Sequence, residues 1–299
     1  MSENLSPENI LERVSSALPP QSRKNIIVIG SLAAGHYFSS VLSNGGIRTK
    51  DVDCMIWPHA NVKVLARDVA EELIDRGWQF KFTKEYPQSY DEKTEIKKLP
   101  IVRLYPESEN EWFLELLNSP NSELTQKSMR SAEKLNTKHG YFALCGFKYL
   151  SLLEVNPIPT QYEIAIASPQ MMALANLLHH PSIGEGKIGA TNVKRSNKDL
   201  GRVLALAYLM TESNKDLRTW PEQWLAALKT KFPNEVSELA LRSGDGLKAL
   251  LNQDYDFEQA VKTCNDGLLA NRKVTSEQLK ITGMRFMDDV IDRLEGLVR

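Results

Sequence analysis

The sequence predicts an α+β protein in which a mixed sheet with packed helices is followed by an all-helical region. In the first half, strand-like and helix-like segments follow one another in the order β-α-β-α-β-β-β. From about Ser168 the strand signals stop and only helical periodicity follows. Because 299 residues exceed the usual size of one core, we expect two domains: a mixed-sheet domain over residues 1–165 and a helical domain over 166–299.

The first half is predicted to open with a helix, a strand, a second helix and a second strand. SPENILERVSSAL, residues 6–18, has apolar residues at helical spacing and ends before two prolines. NIIVIG, residues 25–30, is rich in β-branched residues and predicts a buried strand. SLAAGHYFSSVLSNGG, residues 31–46, predicts a helix that ends at its Asn-Gly-Gly. DVDCMIW, residues 51–57, predicts the second strand.

One more helix and three more strands complete the predicted sheet domain. NVKVLARDVAEELIDRGW, residues 61–78, is amphipathic and ends at a glycine. Strands are predicted for QFKFTKE (79–85), KLPIVRLYP (98–106) and EWFLELLN (111–118). The last two strands flank the polar loop ESEN, which favours a direct connection between them.

The second half contains four strong helical segments. They are SPQMMALANLLHH (168–180), SNKDLGRVLALAYLMTES (196–213), TWPEQWLAALKTKF (219–232) and SEQLKITGMRFMDDVIDRLEGLV (276–298). Trp220 and Trp224 lie at helical spacing, which favours packing in a core or at an interface. A basic loop, KIGATNVKR (187–195), separates the first two segments.

Composition argues against several classes of protein, including membrane-spanning and disulfide-rich proteins. Lys and Arg number 37 against 38 Asp and Glu, so the net charge of -1 provides no global positive field for nucleic acid. No apolar run reaches the roughly 20 residues that span a bilayer, and the N-terminus lacks a signal-peptide pattern. We therefore expect a cytoplasmic protein without a membrane partner. Cys54, Cys145 and Cys264 are far apart and odd in number, so neither a disulfide framework nor a zinc site is indicated.

The segment NIIVIGSLAAGHY predicts a phosphate-binding turn. A strand that ends in Gly30-Ser31 and continues directly into a helix presents backbone N–H groups and a hydroxyl at the positive end of the helix dipole. On the next predicted strand, Asp51 and Asp53 share one face while Val52 and Cys54 point into the core. Two adjacent carboxylates favour a hard divalent cation such as Mg²⁺. Phosphate and metal sites on neighbouring strands suit a nucleoside triphosphate.

This pattern resembles the DNA polymerase β-like nucleotidyltransferase superfamily, which has Gly-Ser at a helix start, Asp-x-Asp on the next strand and a third carboxylate further on. The third acid here is predicted to be Glu115, which interrupts an apolar strand, with Glu111 as the alternative. The resemblance implies transfer of a nucleoside monophosphate from an NTP to an acceptor hydroxyl. It also implies that Asp51, Asp53 and Glu115 hold two Mg²⁺ or Mn²⁺ ions.

A looser resemblance concerns bacterial nucleotidyltransferase-like proteins related to the AbiEii and MenT toxins. It depends on TKDVDCMIW, FLELLNSP, IAIASPQMMALANLL and KRSNKDLGRVLALAYL, in that order. The helix-opening Lys-Asp pair of those proteins corresponds to Lys198-Asp199. Two departures are a longer interval from Ser31 to Asp51, and Asn176 where such relatives often carry lysine. This resemblance implies a toxin-like protein with an RNA acceptor and a cognate antitoxin partner.

Basic residues supply the remaining predicted nucleotide contacts. Arg48 and Lys50 flank the aspartates and suit a triphosphate, although solvated loop cations explain them equally well. Lys194 and Lys198 are predicted to meet phosphate, and the segment 187–198 is expected to face the same cleft.

The acceptor stays open at this point, because tRNA or another RNA, a protein side chain and a small molecule such as an aminoglycoside all offer a hydroxyl. A different class of function is a catalytically inactive relative that binds a nucleotide or a protein, for example one component of a toxin–antitoxin pair.

Overall fold

The computed structural model describes residues 6–42, 47–80, 92–107, 112–119, 130–183, 186–187 and 193–299. The strands are β1 (Ile26–Val28), β2 (Asp51–Ile56), β3 (Gln79–Phe80), β4 (Arg103–Tyr105), β5 (Phe113–Asn118), β6 (Arg130–Thr137), β7 (Gly140–Phe147), β8 (Ile158–Pro159) and β9 (Ala165–Ile166). The helices are α1 (Pro7–Ala17), α2 (Pro20–Arg23), α3 (Gly30–Tyr37), α4 (Val62–Asp75), α5 (Pro169–Ile183), α6 (Arg195–Glu212), α7 (Trp220–Lys231), α8 (Val236–Arg242), α9 (Asp245–Leu251), α10 (Asp254–Asp266), α11 (Ser276–Phe286) and α12 (Asp292–Gly296).

The chain divides into two units. The first comprises Met1–Ala33 and Thr49–Ala167, and the second comprises Ala34–Arg48 and Ser168–Arg299. Because α3 begins at Gly30 and ends at Tyr37, its first turn belongs to one unit and the rest of the helix to the other.

The described strands all lie in the first unit and form one mixed sheet. Its order is β3-β4-β5-β2-β1-β9-β8, and β7 pairs with both β5 and β6. The pairs β1–β9, β2–β5 and β5–β7 are parallel, whereas the other pairs are antiparallel. The prediction of an α+β protein with a mixed sheet is confirmed.

One face of the central strands is apolar and packs against helix α4. Val52, Cys54, Leu114 and Leu116 are fully buried on it, and α4 packs against β2, β4 and β6. At its edge Trp112 meets Trp78, three residues after the end of α4, in an edge-to-face contact with ring centroids 5.5 Å apart. Apolar residues at every second strand position therefore fix which side of β2 and β5 carries the polar residues.

Some elements differ from the sequence-based expectation. The hairpin of β6 and β7 was not predicted, because Leu135 is the only large apolar residue in RSAEKLNT and no alternation of apolar residues is visible there. The hairpin is nevertheless paired in register from Arg130↔Phe147 to Thr137↔Gly140. The predicted strand over 79–85 is described only at its first two residues. The helix that was predicted to continue to Asn-Gly-Gly at 44–46 ends at Tyr37, because the described residues 38–42 form turns and a bend, so that prediction is wrong; residues 44–46 themselves lie outside the described residues.

Every described element from Pro169 onward is helical. Helix α6 packs between α5 and α10, and Gly201 permits the close approach, since a Cβ at that position would lie 2.8 Å from the Ala260 carbonyl oxygen. Trp220 and Trp224 are buried against Phe286, so of the two predicted alternatives, a core or an interface, the structure shows packing in a core. Among the described helices, none combines the length and the apolar composition that crossing a membrane requires.

Candidate active site on the polar face of the sheet

The turn from β1 into α3 brings the backbone next to Asp53. The N–H of Ile29 donates to the Asp53 backbone carbonyl at 2.9 Å, and Gly30 has φ +72°, in the left-handed region that side chains rarely adopt. A Cβ on Gly30 would lie 3.1 Å from Asp53 Oδ2. Glycine therefore meets both a conformational and a steric requirement here, and the helix that carries Ser31 starts beside a carboxylate.

Strand β2 shows the predicted alternation. Asp51 and Asp53 are partly exposed on one face, while Val52 and Cys54 are buried on the other. The hydroxyl of Thr49 donates to Asp51 Oδ1 at 2.7 Å, which orients this carboxylate. Burial, and then the charge of Asp53, raises the pKa of the Cys54 thiol, so this cysteine is a packed side chain and not a nucleophile.

Strand β5 adds the third predicted acid to the same face. In the parallel pairing of β2 and β5, Asp53 lies opposite Glu115 and Asp51 lies opposite Phe113. Neighbouring strands are about 4.8 Å apart, and residues in register on them point to the same side. Asp51, Asp53 and Glu115 therefore lie on one face, as the predicted site requires. Glu111, the alternative third acid, is outside the described residues.

Sequence analysis missed Arg103. It lies opposite Glu115 in the antiparallel pairing of β4 and β5, and its Nε donates to Glu115 Oε2 at 2.6 Å. The Glu115 side chain is 12% exposed and that of Arg103 48% exposed, so the pair joins a buried carboxylate to a half-exposed guanidinium. The sequence does contain a signal for Arg103, because it is the single charged residue in the apolar segment PIVRLYP. Glu115 was singled out for the same reason in FLELL.

The charges on this face influence one another. Burial raises the pKa of Glu115 above its ordinary value, the Asp51 charge raises it further, and the Arg103 guanidinium opposes both effects. Burial by itself would lower the pKa of Arg103, but Glu115, Tyr105 and Asp53 together raise it. Arg103 therefore keeps its proton and its positive charge on this face of the sheet.

An aromatic pair borders the charged groups. The Arg103 guanidinium lies 5.2 Å from the centroid of the Phe113 ring, and the rings of Phe113 and Tyr105 are 5.3 Å apart at a tilt of 46°. Both rings are partly exposed. The face thus presents apolar, planar surface directly next to Asp51.

The donor chemistry suits one hard divalent cation, since Asp51 and Asp53 provide carboxylate oxygens from a single strand. Over the described ranges, however, no three His, Cys, Asp or Glu side chains are grouped so that they could hold a metal ion. The Glu115 carboxylate is bound to Arg103 instead. Metal binding by Asp51, Asp53 and Glu115 stays a prediction.

The predicted basic contacts are divided between the units. Lys50 belongs to the first unit, where its carbonyl accepts from the Phe113 N–H at 2.9 Å, and Arg48 belongs to the second unit. Lys194, also in the second unit, pairs with Asp256 at 3.1 Å. Lys198 lies partly buried in the first turn of α6. Nucleotide binding by these four residues stays a prediction, and residues 188–192 of the basic loop lie outside the described residues.

Comparison of the chain with protein-family models, with curated proteins and with solved structures finds no match. The candidate site is therefore supported by its own residues and by the register that brings them together.

Proposed function

We propose that the protein is a metal-dependent nucleotidyltransferase that moves a nucleoside monophosphate from an NTP to an acceptor hydroxyl and releases pyrophosphate. The main observation in support of the proposal is the position of Asp53. Gly30 at the start of α3 lies next to its carboxylate, and Glu115 lies opposite it in register on the neighbouring strand. In this proposal the first unit is the nucleotidyltransferase domain and the helices that follow form a second, all-helical domain.

The start of α3 is suited to the phosphates. Its first backbone N–H groups have no acceptor within the helix, and they coincide with the positive end of the helix dipole. Gly30 keeps the backbone accessible, and the Ser31 hydroxyl adds a donor. These groups would bind the β- and γ-phosphates, which leave as pyrophosphate.

The carboxylates would position the reacting oxygens. Asp51, oriented by Thr49, and Asp53, next to Gly30, would hold Mg²⁺ or Mn²⁺. When bound, such an ion neutralises phosphate charge and lowers the pKa of the attacking hydroxyl. The protein's own contribution is to align the acceptor with the α-phosphate, which accounts for a large part of the rate in phosphoryl chemistry.

An RNA end is the acceptor that the site favours. Phe113 lies opposite Asp51 in the sheet and is partly exposed beside the Arg103 guanidinium. Aromatic rings and guanidinium planes are the surfaces on which unpaired bases stack. A base held there would place its ribose hydroxyls near the carboxylates.

The test is incubation with each α-³²P-labelled NTP, Mg²⁺ and total cellular RNA, followed by separation of RNA from protein. Label in a discrete RNA band is the expected result, and its size and nucleotide preference identify the acceptor and the NTP. If no nucleotide labels RNA, the protein itself or a panel of small molecules that includes aminoglycosides, the enzymatic proposal is refuted.

One observation favours a second candidate function. Because Arg103 binds the Glu115 carboxylate, the same face suits an inactive relative that binds a nucleotide or a protein partner, such as a cognate antitoxin. Thermal unfolding with NTP and Mg²⁺ would show stabilisation of the enzyme and of a nucleotide-binding relative, but not of a relative that binds only a protein. Release of pyrophosphate distinguishes them, because only the enzyme produces it.

A further inference from the structure

Two neighbouring rows of side chains cross the polar face of the sheet. Each row takes one residue from β4, one from β5 and one from β2, because these strands are hydrogen-bonded neighbours. The rows are Arg103–Glu115–Asp53 and Tyr105–Phe113–Asp51. They are two residues apart along the strands, a distance of about 6.6 Å. A charged row therefore lies beside a row that begins with two aromatic rings.

Arg103 has donors that its partner in the sheet does not use. A guanidinium carries five N–H groups, and among the described residues Arg103 donates a hydrogen bond to Glu115 Oε2 alone, from Nε at 2.6 Å. The two Nη groups keep their donors, on a side chain that is 48% exposed. Because Glu115 is mostly buried in its strand, it holds the guanidinium in one orientation. A planar fork held in this way suits two oxygens of one phosphate.

The Phe113 ring adds a stacking surface next to this fork. The Arg103 guanidinium lies 5.2 Å from the centroid of the ring, and the ring is partly exposed. Unpaired bases stack on aromatic side chains that project from a sheet in single-strand-binding proteins. The two side chains together therefore suit one nucleotide, with its phosphate on Arg103 and its base on Phe113.

The strand order favours the acceptor over the NTP as the ligand of this subsite. Gly30, at the proposed triphosphate turn, follows β1, and the order of neighbours is β4-β5-β2-β1. Asp53 on β2 is thus one strand from β1 and two strands from β4, at about 4.8 Å per strand. In phosphoryl transfer the attacking and leaving oxygens lie roughly in line on opposite sides of the phosphorus. With the leaving pyrophosphate at Gly30, the acceptor belongs on the side of Arg103.

We propose that Arg103 and Phe113 bind the last nucleotide of a single-stranded RNA acceptor, with the guanidinium on its 5′-phosphate and the ring against its base. The inference rests on the proposed function, because it takes RNA as the acceptor, and it names the residues that recognise the RNA end. Glu115 orients Arg103 for this contact. The terminal ribose then lies beside β2, which carries Asp51 and Asp53.

The test measures RNA binding separately from transfer. A single-stranded RNA of about ten nucleotides, within the usual range of single-strand sites, carries fluorescein at its 5′ end. It is titrated with protein without NTP or divalent cations, and the Kd is obtained from fluorescence anisotropy at several concentrations of KCl. The dependence of log Kd on log salt concentration reports the number of phosphate contacts.

The two side chains are expected to have different signatures. Arg103→Gln should raise the Kd by at least about tenfold and reduce the salt slope by about 0.7, the value for one phosphate contact on a single strand. Phe113→Leu should raise the Kd by at least about fivefold and leave the slope unchanged, because it removes a ring and no charge. Arg103→Lys keeps the charge without the fork, so it should keep the slope and raise the Kd.

A double variant separates a direct phosphate contact from neutralisation of Glu115. Arg103→Gln combined with Glu115→Gln removes both charges of the pair, so their sum stays as in the wild type. It is expected to bind RNA as weakly as Arg103→Gln alone. Because it has no charged Glu115 to bury, it also decides the matter if Arg103→Gln does not fold, which circular dichroism would reveal.

Two matched controls lie in the same unit. Arg23→Gln removes an arginine whose pair with Glu163 has the same 2.6 Å distance. Tyr141→Leu removes a partly exposed ring whose centroid lies 5.8 Å from Lys134 Nζ. Both variants are expected to bind RNA within about twofold of the wild type.

The outcomes are distinguishable. No RNA binding by the wild type, an unchanged salt slope in Arg103→Gln, wild-type affinity in the double variant, or loss of NTP affinity in place of RNA affinity would each overturn the inference. Label transfer from NTP by the wild type would leave the proposed function standing in all these cases. Conversely, the expected RNA binding without transfer to any acceptor would refute the proposed function and leave the RNA subsite standing.

Discussion

Two polar clusters, one in each unit, differ in the charged groups that they bring together. In the second unit Lys194 pairs with Asp256, and the Asn197 amide donates both to Asp256 and to Gln259. One positive and one negative charge are combined there with neutral amides, and together they join the start of α6 to α10. On the sheet face of the first unit, three carboxylates are combined with one guanidinium. The cluster of the second unit joins two helices, whereas the carboxylates of the first unit are where we propose that a cationic ligand binds.

The largest expected effect belongs to Asp53→Asn, which keeps the shape and removes one charge. Transfer activity should fall by at least about a hundredfold, because a lost metal contact is felt in the transition state. The melting temperature without metal should stay equal or rise slightly, since repulsion with Asp51 and Glu115 is relieved. Activity assays and thermal unfolding of the same preparation measure both. Full activity in the variant would remove Asp53 from the site.

Gly30→Ala should have the second-largest effect on transfer activity. The left-handed backbone costs an alanine about 1 kcal/mol or more, and the new Cβ would press on Asp53 Oδ2 from 3.1 Å. Because catalysis is sensitive to small displacements, transfer should fall by at least about tenfold. Gly140→Ala is the matched control, as Gly140 also has a positive φ but a Cβ there would meet nothing within 4 Å. That variant should lose stability and keep its activity per folded molecule.

Two lysines of the second unit should respond differently. On the proposal that Lys198 contacts a phosphate, Lys198→Ala is expected to raise the Kd for NTP by roughly tenfold, the effect of losing one charged contact, with little change in stability. Lys194→Met leaves Asp256 without its ion partner and should reduce the free energy of unfolding by about 1–2 kcal/mol. Calorimetric NTP binding and urea unfolding separate the two effects. A large loss of NTP affinity in Lys194→Met at unchanged stability would show that its predicted phosphate contact outweighs the pairing with Asp256.

The smallest expected effect is a pH dependence of the free energy of unfolding that is due to Glu115. Burial, then the charge of Asp51, raises the pKa of Glu115 above its ordinary 4.5, against the influence of Arg103. A raised pKa in the folded state means that the neutral acid is favoured on folding, so its stabilising contribution is present below pH 4.5 and is lost as the pH rises through the folded pKa.

Glu115→Gln resembles the neutral acid at every pH. The difference in free energy of unfolding, variant minus wild type, should therefore increase from pH 4 to pH 7 in urea titrations. A difference that decreases over this range would mean that the stabilisation by Arg103 exceeds the cost of burying the charge.

The sequence was sufficient where local patterns determine structure. The run Ile26–Val28, the turn at Gly30 and the alternation of Asp51 to Cys54 each follow from residues that are close in the chain. Glu115 was predicted to be the third acid because a carboxylate inside an apolar strand is costly unless it has a partner.

Contacts set by long-range register were not predictable in this way. Arg103 meets Glu115 only because β4 and β5 pair antiparallel at those residues, and Lys194 meets Asp256 across 62 positions of the chain. The hairpin of β6 and β7 was missed for a related reason. Its stability comes from pairing and from one buried face, which the mostly polar sequence of β6 does not reveal.

The most direct test of the proposed chemistry compares two labels on one NTP. With Mg²⁺ and RNA, α-³²P from the NTP should appear in the RNA and γ-³²P should appear in pyrophosphate, and Asp53→Asn should reduce both signals by at least about a hundredfold. Transfer of the γ-label to an acceptor, or equal transfer of the α-label by wild type and Asp53→Asn, would contradict nucleotidyl transfer at the Asp51–Asp53 site.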